Sequence, residues 1–204
     1  MSTRAAAVHR GLGLEYFTVG WNAFEALIAL ISGAIAGSIA LIGFGLDSVI
    51  EVSAGVILLW RLHSDRDEVR REARERRAQR LVGMTLLALA AYVSGDSILG
   101  LVRRERPERS LPGIALALVS LISMPLLARS KRTVASAIGS GAMKADSRQT
   151  DICAFLSAIL LLGLLLNAWL GWWWADASAG IAMTPLIAYE GVQAIRGKTC
   201  CDTC

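Results

Sequence analysis

Six stretches of mostly apolar residues, at 14–36, 40–62, 81–102, 111–129, 151–170 and 173–195, leave this chain few ways to fold outside a lipid bilayer. Each is near the length of about 20 residues that a helix needs to cross a hydrocarbon core of about 30 Å. Inside lipid every backbone N–H and C=O must be paired within the protein, so only helices or closed barrels can span it. The long Leu/Ala/Ile/Val runs lack the two-residue alternation of barrel strands, and an all-α membrane protein follows, a six-transmembrane-helix bundle. Hydrophobic residues make up 54% of the 204 positions, more than one water-soluble core of this size requires.

The first stretch is too long for a cleavable leader and carries Asn22 and Glu25 in its middle, so it is expected to remain in the membrane. No repeat or long linker divides the chain. The organisation expected is a cytoplasmic N-terminus (1–13), one transmembrane domain (14–196) and a short Cys-rich cytoplasmic tail (197–204).

A net charge of +4 could suit nucleic acid, but the basic residues sit between apolar spans. With the N-terminus inside, the inner segments hold 17 of the 21 Lys and Arg, and the outer ones only Arg103, Arg104, Arg106 and Arg109. The bias places both termini in the cytoplasm and points to lipid rather than nucleic acid as the partner, at the cell inner (plasma) membrane. The mixed-charge run at 61–80 reads as a solvated helical extension beneath anionic headgroups. Trp169, Trp172, Trp173 and Trp174 bracket the last turn as interfacial anchors.

The informative residues are the acids within the spans. In Gly43-Phe44-Gly45-Leu46-Asp47-Ser48-Val49-Ile50-Glu51 a four-residue step puts Asp47 and Glu51 on one helix face, a turn apart. Two such carboxylates repel in a low-dielectric interior unless a cation lies between them, which a divalent ion resolves. In Lys144-Ala145-Asp146-Ser147-Arg148-Gln149-Thr150-Asp151 the same step pairs Ser147 with Asp151, and Asp146 falls off that stripe as a residue of the cytoplasmic mouth. Glu25 and Asp96 are further acids in spans one and three, for which headgroup contact or pairing with an arginine is the structural alternative. Each charge buried mid-helix costs about 2.5–3.5 kcal/mol, so the five together approach about 15 kcal/mol, which packing alone does not call for.

These stretches resemble the cation diffusion facilitators. The Gly43 to Glu51 run looks like that family's helix-two signature, and Ala175-Asp176 with Ala179-Gly180 looks like its helix-six opening; the resemblance covers 14–196. It implies that Asp47, Glu51 and Asp151 are ligands, that helices two and five rock to expose the site alternately, and that divalent metal leaves the cytoplasm in exchange for protons as the counter-ion. It also implies a secondary transporter and not an enzyme, consistent with the lack of any Gly-x-x-x-x-Gly-Lys-Ser/Thr loop.

Two departures stand out. Zinc-type members carry His four residues before the helix-five Asp, and Ser147 stands there instead, so an oxygen-rich site is expected to take Zn²⁺ first and would also accept Mn²⁺, Fe²⁺ or Co²⁺. The second is that the family's cytoplasmic domain does not follow helix six, as in the small facilitator-related proteins of the transmembrane protein 163 type. A homodimer would then form through the helices. A non-transporting metal sensor or partner subunit is the alternative reading, and a purely structural helical subunit a third.

The tail contains Cys200, Cys201 and Cys204, a Cys-x-x-Cys spacing that suits soft-metal loading, against an inert reduced tail. Cys153 reads as a small packing residue, and His9 and His63 as surface histidines.

Overall fold

The computed structural model describes residues 3–63, 68–105, 107–139 and 141–196, with side chains described except at 3–5, 60–63, 68–79, 82, 141–142 and 145. Six helices follow one another: α1 (Thr3–Ala36), α2 (Ile39–His63), α3 (Glu68–Arg103), α4 (Leu111–Ile138), α5 (Gly141–Leu170) and α6 (Trp174–Arg196). Among the described residues there is no strand. Five helices are long and apolar enough to cross a membrane. The sixth is long enough at 23 residues, but Asp176, Glu190 and Arg196 make it the more polar one. Cys200, Cys201 and Cys204 lie outside the described residues.

The helices correspond one to one with the apolar stretches but outrun them. At 34 residues α1 extends about 51 Å, well beyond a hydrocarbon core of about 30 Å. Residues 68–80 continue α3 backwards through the charged run, because Glu, Arg and Ala are good helix formers. α4 passes Arg129 and ends at Ile138, with Ser110 capping its start by accepting from the Gly113 N–H at 3.1 Å and left-handed Gly139 closing it.

α2 is the centre of the bundle, touching α1, α3, α5 and α6, while α4 closes the far side against α1 and α5. Its glycines make that crowding feasible. A Cβ on Gly43 would lie 2.8 Å from Val93 of α3, and one on Gly45 would lie 2.9 Å from Leu30 of α1. The two glycines face opposite sides, so neighbours approach closely just before Asp47. α3 and α6 cross still more tightly at Gly83 and Gly191, where a Cβ on Gly83 would lie 2.6 Å from the Gly191 carbonyl oxygen.

One buried carboxylate is structural. Asp176, at the start of α6, accepts from the Ser38 hydroxyl at 2.5 Å, from the Ile39 N–H at 2.9 Å and from the Ala40 N–H at 3.4 Å. It caps the positive end of α2 from another helix, which ties the paired Ala175-Asp176 sequence to the orientation of the Asp47 helix. Outside, Trp169 is 80% exposed and Trp172 stacks on Trp174 with centroids 4.9 Å apart, as interfacial anchors require. The lipid-facing surface is apolar, with Ile35, Val102, Ile122 and Phe155 all strongly exposed.

Candidate functional site

The site is built from α1 and α2 upward. Asp47, Ser48 and Glu51 of α2 are all buried, and Ser48 and Glu51 contact α1. Opposite them α1 presents Asn22 and Glu25, three residues apart and buried at 1% and 0% exposure. Asn22 Nδ2 donates to Glu51 Oε2 at 2.7 Å, and the Ser48 hydroxyl donates to Glu25 Oε2 at 3.1 Å. Ser120 of α4 donates to Glu25 Oε1. Three carboxylates therefore stand in the bundle core, and among the described residues none of them pairs with a lysine or arginine.

Two oxygens there have no hydrogen-bond partner: Asp47 Oδ1 and Asn22 Oδ1. Both are acceptors without a donor, the atoms a cation would satisfy. Half-buried Glu190 of α6 lies within electrostatic reach of both Asp47 and Glu51. Cys153 of α5, 1% exposed, lies within reach of Glu25, Asp47, Glu51 and Glu190. In this conformation no three His, Cys, Asp or Glu side chains among the described residues gather at ligand spacing. A coordination sphere here needs side-chain rotation, or the neutral oxygens of Asn22 and Ser48.

The structure brings together Asp47, Glu51 and Glu25. It places Asp151 elsewhere: half-buried on the flank of α5 and ion-paired with Arg132 of α4. The reason lies in the geometry of α5. Its buried stripe runs Ser147, Thr150, Cys153, Ala154 and Ser157, and Asp151 sits about 100° round from Thr150, towards the α4 side. Ser147 is fully buried, with its hydroxyl donating to the Lys144 carbonyl at 2.7 Å. Asp96 is exposed and lines an outer cleft with Ile42, Glu105, Trp173 and Asp176, apart from Asp47.

Sequence reasoning noted Asn22 in mid-span without assigning it to the site, and passed over Glu190, Glu15 and Lys131. The signal for α1 was present: Glu15, Thr18, Asn22 and Glu25 recur at three- and four-residue steps, a polar stripe within an apolar helix, and all four are buried. Cys153 was read as packing because nothing local distinguishes it; its acidic neighbours come from α1, α2 and α6.

A helical membrane bundle whose central helix carries unpaired acids defines a cation-handling membrane protein. Residues 17–198 match the Cation efflux transmembrane domain family, and the chain belongs to it. A stretch of 119 residues is 30% identical to the Cation-efflux pump FieF of Shewanella oneidensis, covering 54% of this chain and 38% of that protein. The chain thus matches well under half the length of this curated relative.

Proposed function

We propose that this chain carries a divalent transition-metal cation out of the cytoplasm, exchanging it for protons by alternating access, with Asp47 and Glu51 of α2 as the principal ligands. The observation that carries this reading is the group of core carboxylates at Glu25, Asp47 and Glu51, which among the described residues pair with no lysine or arginine, with Asp47 Oδ1 unpartnered. Bare charges in an apolar interior are costly, so such a group must hold either a cation or protons. That alternation is the chemistry of an antiporter: cargo binds and displaces protons, and protons return when it leaves. The name of the Shewanella relative, a cation-efflux pump, agrees with the direction.

Glu25 and Asn22 complete the oxygen set from α1, with Glu190 and the Cys153 thiol at its edge. Asp151 joins only in a state where Arg132 has released it, and Ser147 adds a hydroxyl from the same helix. An oxygen-dominated site takes Zn²⁺ and also Mn²⁺, Fe²⁺ or Co²⁺. The excess of Lys and Arg on one side of the bundle orients that side to the cytoplasm, which suits the inner (plasma) membrane, and a homodimer would use the apolar exterior of the helices.

In proteoliposomes holding a pH-sensitive dye, an imposed Zn²⁺ gradient is expected to drive proton movement in the opposite direction. Saturable Zn²⁺ binding without flux under any gradient would replace the transporter with a membrane metal sensor or partner subunit.

A further inference from the structure

Lys131, midway along the second half of α4, is a fully buried lysine, and it is held by two carboxylates from different helices. Its ammonium lies 3.1 Å from Glu15 Oε2 of α1 and also contacts Asp146 Oδ2 of α5. Glu15 is itself 0% exposed, and its Oε1 has no hydrogen-bond partner. Its Oε1 faces the backbone of α2 at Gly55, where any Cβ would come within 3.0 Å of it. The cluster thus joins α1, α4 and α5 against α2, on the side of the bundle to which the Lys and Arg bias assigns the cytoplasm.

A pair of one lysine and one carboxylate does not account for this arrangement. Two carboxylates face one ammonium, so the lysine alone cannot match both, and buried pairs are in any case easily replaced by apolar packing of the same volume. The second carboxylate has a direction. Asp146 lies within electrostatic reach of Glu51, and Glu15 stands two to three turns along the same α1 stripe as Asn22 and Glu25. The polar stripe therefore runs from this cluster to the core carboxylates.

We propose that Glu15 and Asp146 form a second cation station between the cytoplasm and the core carboxylates, held in this conformation by the Lys131 ammonium, which an incoming divalent cation displaces. The lysine acts as a tethered substitute for the cargo. It keeps two buried carboxylates compensated when no metal is passing, and it blocks the path with a charge that only a competing cation relieves. With carboxylate oxygens as its charged donors, the station suits hard and borderline divalent ions, Mn²⁺ among them. This rests on the transport reading for its purpose but not for its chemistry, so the test uses a chain in which the core carboxylates are disabled.

In the full chain carrying Asp47→Asn and Glu51→Gln, Mn²⁺ binding is followed by electron paramagnetic resonance, since Mn²⁺ favours carboxylates over thiols. Lys131→Met in that background is expected to tighten binding of one Mn²⁺ by at least tenfold, and adding Glu15→Gln is expected to reverse the gain. Unchanged Mn²⁺ binding on loss of the lysine, or a gain that survives Glu15→Gln, overturns the station and leaves the transport reading standing. Should the lysine variant fail to fold, the unmodified protein decides: Mn²⁺ is expected to raise acylation of Lys131 by a small membrane-permeant reagent severalfold, read by peptide mass spectrometry. Acylation of Lys131 that is indifferent to Mn²⁺ overturns the proposal.

Discussion

Replacing Asp47 by Ala is expected to abolish metal-driven flux in proteoliposomes, with Glu51→Ala close behind, while detergent-solubilised protein keeps its helical content and elution volume. The expectation follows from what each carboxylate touches. Asp47 Oδ1 has no partner in the core, so its removal deletes a ligand without orphaning any donor. Glu51 accepts from Asn22 Nδ2, so its removal also frees that amide and should cost some stability, on the order of 1–3 kcal/mol. Neither change creates an unpaired charge, and losing one of several buried acids relieves repulsion among the rest. A stable variant that does not transport is therefore the signature of a ligand. Flux that persists in both variants would mean the cation passes elsewhere.

The second large effect concerns the frame. Gly83→Val is expected to destabilise the protein by about 1–3 kcal/mol or more, read as a fall in the thermal transition of the purified chain, because its Cβ would meet the Gly191 carbonyl oxygen at 2.6 Å. That atom is backbone, so no rotamer change relieves the clash and α3 must move off α6. Gly13, whose added Cβ meets nothing within 4 Å, is the control at which Gly→Ala should be neutral or slightly stabilising. Equal losses at both positions would show that helix propensity, not the close crossing, sets the response.

The helical bundle was legible because lipid imposes one pattern at a time: a run of apolar side chains long enough to span. Where that constraint ends, legibility fell too. The charged run before span three reads as a helical extension and α3 does continue back to Glu68, but α4 runs on to Ile138 through charged residues that no apolar run marks, and that extension carries Lys131 and Arg132. The four-residue step on α2 placed Asp47 and Glu51 on one buried face, since both lie on a single helix. The same rule on α5 grouped Ser147 with Asp151, but which side of that stripe faces the core depends on α4, whose Arg132 takes Asp151.

Contacts between distant segments were out of reach for a related reason. Asp176 caps α2 across more than 130 residues, and Lys131 of α4 reaches Glu15 of α1, three helices earlier; periodicity within one helix says nothing of either. The α1 stripe of Glu15, Thr18, Asn22 and Glu25 is different, because its spacing alone marks a polar face inside an apolar span. It links Glu15 at one end to Glu25 at the other, along the side of α1 that meets α2 and α4.

A crystal structure of the full chain grown with Zn²⁺, with anomalous diffraction measured at the zinc edge, tests the central claim most directly. The account predicts a peak inside the bundle with oxygens of Asp47 and Glu51 at about 2.0–2.2 Å from it. A well-occupied zinc found elsewhere, with Asp47 and Glu51 still bare of metal, would contradict it.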